Sequence, residues 1–268
     1  MKICRFQSQG GEILHGVYDV NKPDEAAVLQ GALFGDHKIT QRREGIRTML
    51  APVIPANIIA LGLNYKKHAE ETGMSYPELP VMFLKGANSV IGPGETILLP
   101  KAGPGEVDYE AELAIIVGKP GKNIPLERAF EHIFGYCCAN DVSARDWQIH
   151  KQKGQWARGK SFDTFCPLGP WIVTKDEIKN PDDLAIRTIL NKKIMQDART
   201  SDLCFGIADI VSDLSRSMTL LPGTVILTGT PSGVGFTRKP PVFLQPRDNV
   251  TIEIEQIGRL ENPVKLED

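Results

Sequence analysis

Three acidic residues in two separated segments are the strongest candidates for chemistry in this chain. Glu110 and Glu112 stand two apart at the head of the aliphatic segment 109–117. In a β-strand this spacing places both carboxylates on one face, where they repel each other unless a cation bridges them or they face water. Asp141 follows the apolar segment 133–139 and can close such a site. Oxygen ligands without Cys or His favour Mg²⁺ or Mn²⁺, although a Glu-x-Glu pair alone is more simply a solvated strand face.

Residues 154–161, GQWARGKS, match the phosphate-loop pattern G-x-x-x-x-G-K-[ST]. The pattern has a mechanism only when a buried strand precedes the loop and a helix follows it. Residues 145–153 are instead polar and helical in pattern, and residues 161–170 contain two prolines that prevent a long helix. The context therefore argues against nucleotide binding and leaves the role of Lys160 open.

Composition excludes several other classes of protein. The net charge is −2 and no basic run is present, so we expect neither nucleic-acid nor membrane-surface binding. The apolar segments are too short to cross a bilayer, and the start lacks the apolar core of a signal peptide. Five cysteines without metal-ligand spacing are typical of buried thiols in a reducing compartment. We therefore predict a cytoplasmic protein.

The elements that must position these residues are mostly strands, which predicts a β-rich α+β fold with peripheral helices. Predicted strands cover 58–63, 81–84, 109–117, 225–228 and 250–257, and predicted helices cover 126–132, 143–151 (with Ser143 as N-cap) and 203–218. Residues 1–50 predict a small N-terminal lobe that contains a hairpin around Gly10-Gly11 and then a loop-rich stretch. Residues 51–268 form the predicted main domain.

Six separated motifs together resemble the fumarylacetoacetate hydrolase family. In chain order they are GLNYKKHAEETG (62–73), FLKGANSVIGPGE (83–95), EVDYEAELAIIVGK (106–119), NDVSARDWQ (140–148), GKSFDTFCPLGP (159–170) and ILTGTPSGVG (226–235). They span about residues 51–258. The run 238–244, RKPPVFL, resembles most the branch of fumarylacetoacetate hydrolase domain-containing protein 2.

The resemblance implies a mixed β-roll, a homodimer, and Mg²⁺ or Mn²⁺ held by Glu110, Glu112 and Asp141. Two departures from the family pattern matter. Asn64 stands where larger members supply a further Asp, so we expect three carboxylate ligands. Leu63 stands where acylpyruvases of the family carry Arg, which removes a possible contact with the substrate carboxylate.

The resemblance also implies a lid over about residues 65–78 that carries a catalytic pair. His68 and Glu71 stand three apart and share a helix face, so Glu71 can hold His68 as a general base that activates water. Without the resemblance, His68 is simply a surface helix residue.

Five further residues are assigned to the substrate by the same resemblance. Lys160, as a catalytic residue, and Lys85 would place ammonium groups near developing oxyanion charge. Arg145 and Gln148 would meet the distal end of the substrate, unless they are ordinary surface helix residues. Thr230, in a glycine-rich turn, would bind the substrate carboxylate.

These assignments predict an enzyme that acts on a small 2-oxo acid through a metal-stabilised enolate. We expect hydrolytic C–C cleavage of an acylpyruvate such as fumarylpyruvate, because water activation needs both His68 and Glu71. The alternatives are an oxaloacetate decarboxylase or tautomerase and a 2-hydroxyhepta-2,4-diene-1,7-dioate isomerase. A non-catalytic metal-binding scaffold is the alternative from another class.

Overall fold

The computed structural model describes residues 1–268, which form eighteen β-strands and two α-helices. The strands are β1 (Lys2–Ser8), β2 (Ile13–Tyr18), β3 (Glu25–Gly31), β4 (His37–Leu50), β5 (Ile58–Gly62), β6 (Val81–Lys85), β7 (Val90–Ile91), β8 (Ile97–Leu99), β9 (Val107–Asp108), β10 (Ala111–Val117), β11 (Ile133–Asn140), β12 (Ser143–Ala144), β13 (Cys166–Thr174), β14 (Ala185–Leu190), β15 (Lys193–Arg199), β16 (Val225–Leu227), β17 (Asn249–Ile254) and β18 (Gly258–Leu266). The α-helices are α1 (Lys66–Thr72) and α2 (Ile207–Ser217). Short 3₁₀ helices cover Ala87–Ser89, Leu126–His132, Lys175–Glu177 and Thr200–Asp202, and a π-helical turn covers Asp146–Lys151.

Two mixed sheets dominate the architecture. The larger has eleven strands, most of them in the order β2-β3-β4-β1-β13-β11-β10-β16-β5-β6, and β7 pairs with β13. The smaller has five strands in the order β15-β14-β17-β18-β8. Few helices and mixed sheets confirm the predicted β-rich fold. No helix of the structure has the length and apolar character needed to cross a membrane.

Strand β10 lies in the interior of the larger sheet, and its alternating side chains serve two different cores. Leu113 and Ile115 pack into the principal core, which also contains Ile252 of β17 in the smaller sheet. Ala114 and Ile116 face the opposite core. Because side chains alternate along a strand, Glu112 lies on the face of Ala114 and Ile116 rather than in the principal core.

The N-terminal strands β1 to β4 close into a ring, since β1 pairs with both β2 and β4. The predicted hairpin is therefore confirmed, but the predicted loop-rich stretch is wrong. Residues 25–50 form β3 and the long strand β4, which is largely exposed and charged and so lacks the alternation that reveals a strand. The ring joins the rest of the sheet where Lys2 and Ile3 pair with β13. The division of the chain at residue 50 stays a prediction.

Two predicted helices form differently from the expectation. Ser143 is not an N-cap, because it lies in β12 opposite Asp108 and its hydroxyl donates to the Asp141 carbonyl. The helical turn begins only at Asp146. Residues 126–132 adopt 3₁₀ geometry, as the 3.0 Å bond from the Arg128 amide to the Pro125 carbonyl shows.

Two other predicted elements have different ends in the structure. The predicted strand 250–257 ends at Ile254, where the chain turns through the positive φ of Gln256 into β18. The predicted helix 203–218 begins at Ile207, because the amide of Phe205 is held by the side chain of Asn64.

Candidate metal centre and substrate cavity

Neighbouring strands bring the three predicted acids together. In the antiparallel pair β10–β11, Ala111 lies opposite Asn140, so Glu110 and Asp141 flank the same end of the pair. The Asp141 amide donates to the Glu110 carbonyl at 2.9 Å. The three carboxylates are buried, and one oxygen atom from each lies within 4.8 Å of the corresponding oxygen atoms of the other two. Glu110 and Glu112 therefore share a face, as their spacing predicts.

Two buried lysines neutralise part of this negative charge. Lys160 Nζ lies 2.7 Å from Glu110 Oε2 and 2.7 Å from Asp141 Oδ2. Lys85 Nζ lies 2.5 Å from Asp141 Oδ1. Lys160, at the end of the sequence that matches a phosphate loop, thus contacts carboxylates, and that loop is preceded by a π-helical turn rather than a strand.

Glu112 is the acid whose charge is left unbalanced. Its Oε2 accepts a 2.6 Å hydrogen bond from the Gly229 amide, but Oε1 is buried without a hydrogen-bond partner. Burial, followed by repulsion from Asp141 and Glu110, raises its pKa well above the usual carboxyl range. A buried acceptor without a donor is rare in native proteins. Three carboxylates and this orphaned oxygen fit a divalent cation with oxygen ligands.

Glu110 has the opposite electrostatic environment. Burial alone would raise its pKa, but the charges of Lys160 and Arg145 outweigh burial and lower the pKa below the ordinary carboxyl value. Arg145 Nη2 lies 2.7 Å from Glu110 Oε1 and 2.8 Å from Asp108 Oδ2, without hydrogen-bond alignment to either. The neighbouring carboxylates of the site thus differ strongly in how readily they ionise.

Asp108 is a buried acid that the motif analysis missed. It accepts hydrogen bonds from Arg145 Nε at 2.9 Å and from the amides of Gly235 at 2.7 Å and Phe236 at 3.1 Å. Asp108 thereby fixes both the guanidinium and the loop after the glycine-rich turn. The alternation of acids at 108, 110 and 112 was a signal that could have identified it.

Arg145 and Gln148 contact each other, as predicted for residues that act at one place. Arg145 Nη1 donates to Gln148 Oε1 at 2.8 Å, and the guanidinium lies 4.4 Å from the ring centre of Phe236. Both residues line the same cavity.

Thr230 is held by a second residue that the sequence analysis missed, Gln196 of β15. Gln196 Nε2 donates to Thr230 Oγ1 at 2.9 Å and to the Pro231 carbonyl at 2.7 Å. Its Oε1 accepts from the Ala111 amide at 2.9 Å and from Thr188 Oγ1 at 2.6 Å. The side-chain amide of Gln196 thus donates two hydrogen bonds and accepts two. It links the strand that carries Glu112 to the turn that carries Thr230.

His68 and Glu71 meet on helix α1, where their spacing of three places them. His68 Nδ1 lies 3.2 Å from Glu71 Oε2. Glu71 also accepts from the Gly233 amide at 3.0 Å and from Thr237 Oγ1 at 2.8 Å, so it anchors the helix to the glycine-rich turn. Burial opposes ionisation of Glu71, but these hydrogen bonds outweigh it and lower its pKa.

A cavity of about 320 Å³ opens above Glu110 and Lys160. His68, Arg145, Gln148 and Thr230 also line it, so the structure brings most of the predicted site residues to one place. Lys85, Glu112 and Asp141 are not part of the lining, and Lys85 instead contacts Asp141. The apolar part of the lining consists mainly of Leu61, Leu63, Phe83, Ile149, Trp156 and Phe236. Trp156, to which no role was assigned from the sequence, also lies on the cavity wall.

Asn64 replaces a possible fourth carboxylate and serves as a structural clamp. Its Nδ2 donates to the Thr228 carbonyl at 2.8 Å and to the Phe205 carbonyl at 3.2 Å. Its Oδ1 accepts from the Phe205 amide at 2.9 Å. The amide group is therefore used within the fold, which agrees with a site of three carboxylates.

Comparison with known proteins places this site in a family. Residues 57–265 match the family described as Fumarylacetoacetate (FAA) hydrolase C-terminal, and residues 1–47 match Rv2993c-like, N-terminal. This chain belongs to the fumarylacetoacetate hydrolase family. The resemblance inferred from the six motifs is confirmed.

Individual relatives share most of the chain. The mitochondrial oxaloacetate tautomerase fahd2 of Xenopus laevis is 48% identical over 218 residues, which are 81% of this chain and 68% of the relative. The 5-carboxymethyl-2-hydroxymuconate delta-isomerase of Mycobacterium smegmatis is 42% identical with a TM-score of 0.88, and the match covers all of both chains. The 2-hydroxyhepta-2,4-diene-1,7-dioate isomerase of Mycobacterium marinum is 39% identical with a TM-score of 0.85, covering 100% of this chain and 99% of that one.

Proposed function

We propose that this protein is a metal-dependent enzyme that interconverts the keto and enol forms of a small 2-oxo acid. Oxaloacetate is the first substrate to test. The names of the relatives favour tautomerase or isomerase chemistry over the acylpyruvate hydrolysis that we expected from the sequence. The observation that carries the proposal is the orphaned Oε1 of Glu112 in a buried group of three carboxylates.

In this proposal Glu110, Glu112 and Asp141 hold Mg²⁺ or Mn²⁺. The cation would supply Lewis-acid stabilisation of the negative charge that develops on the substrate oxygens. Lys85 fixes the orientation of Asp141 through its 2.5 Å contact. Lys160 holds Glu110 and Asp141 at a common distance of 2.7 Å and presents a positive charge to the cavity.

The proton that moves in tautomerisation is assigned to His68. As the enol form becomes the keto form, the enol oxygen loses a proton and carbon C3 gains one. His68 lines the cavity and Glu71 holds its Nδ1, so Nε2 is the ring nitrogen available to accept the proton from the enol oxygen and then deliver a proton to C3, which leaves the imidazole as it began. Thr230, Arg145 and Gln148 would bind and orient the substrate.

Spectroscopy of oxaloacetate tests this function. Enol oxaloacetate absorbs in the near ultraviolet, so its loss on mixing with the Mg²⁺-loaded protein measures tautomerisation. A coupled assay for pyruvate on the same sample measures decarboxylation. We expect rapid loss of the enol without matching pyruvate, and enol loss at the rate of the buffer control would contradict the proposal.

Hydrolysis is a second candidate function because the His68–Glu71 pair could also orient water for attack. Hydrolysis of an acylpyruvate releases pyruvate and a second acid, so the coupled assay also detects it. Pyruvate release from acetylpyruvate or fumarylpyruvate, without faster loss of enol oxaloacetate, would reverse the order of the two candidates.

A further inference from the structure

Asp108 is a buried carboxylate whose hydrogen-bond partners are all donors. Its Oδ1 accepts from the amides of Tyr109 at 2.9 Å and Gly235 at 2.7 Å. Its Oδ2 accepts from Arg145 Nε at 2.9 Å and from the Phe236 amide at 3.1 Å. An asparagine of the same shape would turn its NH₂ group toward one of these donors, because it has only one acceptor oxygen. The position therefore requires a carboxylate rather than any polar side chain of this size.

The glycine at position 235 is required by the close approach of Asp108. A Cβ atom there would come within 2.6 Å of Asp108 Oδ1 and within 1.9 Å of the Val242 carbonyl oxygen. Any side chain at this position would therefore push residues 233–237, which we call the anchor loop, away from the carboxylate. The sequence thus favours direct contact between Asp108 and the anchor loop.

The anchor loop also holds helix α1 through Glu71. The Gly233 amide donates to Glu71 Oε1 at 3.0 Å, and Thr237 Oγ1 donates to the same oxygen at 2.8 Å. Glu71 in turn contacts His68 Nδ1 through its other oxygen, at 3.2 Å. A continuous set of contacts therefore runs from Asp108 through the anchor loop to the imidazole.

On its other side Asp108 orients Arg145 toward the cavity. Arg145 Nη1 donates to Gln148 Oε1 at 2.8 Å, and Phe236 of the anchor loop packs 4.4 Å from the guanidinium. Because an arginine side chain has only donors, it takes the oxygen of Gln148 and leaves Nε2 of that amide as a donor. Both residues line the cavity, so they offer donors to the carboxylate oxygens of a substrate such as oxaloacetate.

From these contacts we propose that Asp108 is a positioning residue that holds Arg145 and the His68–Glu71 pair in one mutual arrangement. Asp108 does not line the cavity, so it acts through these residues. The proposal rests on the proposed function, which assigns Arg145 to substrate binding and His68 to proton transfer. It deepens that function because it makes substrate binding and proton transfer depend on one carboxylate outside the cavity.

Hydrogen exchange measured by mass spectrometry tests the link to helix α1 without substrate. In the Mg²⁺-loaded protein, Asp108→Asn should speed exchange in residues 66–72 by at least about threefold, because the hold of the anchor loop on Glu71 loosens. The matched control is Asp182→Asn. Asp182 accepts a 2.8 Å bond from the Ile207 amide away from the cavity, so this variant should leave exchange in residues 66–72 unchanged. Unchanged exchange in Asp108→Asn would overturn the proposal.

Double-mutant kinetics with oxaloacetate at saturating Mg²⁺ test whether Asp108 acts through Glu71. Asp108→Asn alone should raise KM about tenfold and lower kcat about tenfold. When it is combined with Glu71→Gln, kcat should stay within about threefold of the Glu71→Gln value, because both changes break the same set of contacts. Independent effects would multiply to a loss of about a hundredfold in kcat and would overturn the proposal.

Arg145→Lys tests the same link from its other end and covers the case in which Asp108→Asn does not fold. Lysine keeps the positive charge but lacks the fork that holds Asp108 and Gln148 together. This variant should also speed exchange in residues 66–72, by about twofold or more, and unchanged exchange would contradict the coupling. Failure of the wild type to accelerate the loss of enol oxaloacetate would instead overturn the proposed function, and the exchange measurements would still decide whether Asp108 holds the helix.

Discussion

Two regions of the site differ in how they are built. The acid floor consists of Glu110, Glu112, Asp141, Lys85 and Lys160, which are all buried and come mainly from the ends of paired strands. The rim consists of residues 66–72 and 146–158, which form one short α-helix, a π-helical turn and a loop. His68 and Trp156 reach the cavity from this rim.

The difference assigns separate tasks to the two regions. The floor holds Glu110 and Asp141 through buried lysine ion pairs 2.5 to 2.7 Å long, which suits a binding site of fixed geometry. The rim is held to the rest of the protein by polar contacts, such as the hydrogen bond that Glu71 accepts from the Gly233 amide. Loops on a rigid scaffold usually carry specificity. Variants of the three floor acids should therefore abolish metal binding, whereas variants of the rim should change rate or preference with the metal still bound.

The largest effect is expected for Asp141→Asn. This change removes a carboxylate that contacts both Lys85 and Lys160, so it should abolish tautomerisation, lowering kcat by about 10³-fold or more. It should also lower the free energy of unfolding by about 3 kcal/mol, because buried Lys85 loses its carboxylate partner and Lys160 loses one of two. Mn²⁺ titration by calorimetry and denaturant unfolding provide the measurements.

Asp183→Asn is the matched control for this variant. Asp183 is exposed and pairs with Arg199 on the surface, so the control should bind Mn²⁺ normally. Normal Mn²⁺ affinity in Asp141→Asn would show that Asp141 is not a metal ligand and would contradict the proposed distinction between floor and rim.

A smaller effect is expected at the rim. His68→Ala should lower kcat for tautomerisation by about 10²-fold, the usual range for loss of a general acid or base. Glu71→Gln should lower kcat by about tenfold, because it keeps part of the anchoring but weakens the hold on His68 Nδ1. Both variants should bind Mn²⁺ with the affinity of the wild type. Wild-type turnover by His68→Ala would exclude it from proton transfer.

The smallest effect is expected for the residue that links floor and substrate, Gln196. Gln196→Met keeps the volume but removes the hydrogen bonds to Thr230 and Ala111. Because Gln196 positions Thr230, the variant should raise KM about five- to tenfold and leave kcat within about twofold. The exposed Gln245→Met is the control. A purely structural role would lower stability without raising KM, which the same preparations can distinguish.

The sequence predicted the three acids of the floor because their grouping depends on local patterns. The alternation of Glu110 and Glu112, and the position of Asp141 after an apolar strand, are short-range features that the strand pairing preserves. Asp108 and Gln196 were missed because their partners are distant in sequence. Asp108 contacts Arg145 across 37 positions, and Gln196 contacts Ala111 across 85 positions.

The same reasoning explains the errors in the fold. Strands with an aliphatic core face, such as β5 and β16, were predicted because burial leaves a clear pattern. Strand β4 was missed because it is largely exposed and is held in place by hydrogen bonds to β3 and β1. Trp156 was not identified from the sequence because only the tertiary fold brings it against Gly62. The homodimer implied by the resemblance stays a prediction.

Thermal unfolding of Glu112→Gln tests the central claim, a divalent cation site at the three acids, most directly. In the metal-free protein the raised pKa of Glu112 means that the folded state binds its proton more tightly than the unfolded state. Glu112 therefore contributes stability at acidic pH that is lost as the pH rises toward its folded-state pKa. Replacing the acid by an amide removes this loss.

At about pH 8, above the ordinary carboxyl range, we predict that metal-free Glu112→Gln melts about 3 °C or more above metal-free wild type, a shift worth roughly 1 kcal/mol. Added Mn²⁺ should raise the Tm of the wild type and leave that of Glu112→Gln unchanged. The exposed Glu131→Gln controls for the substitution and should behave as wild type. A lower Tm for metal-free Glu112→Gln together with a normal Mn²⁺ response would contradict the account.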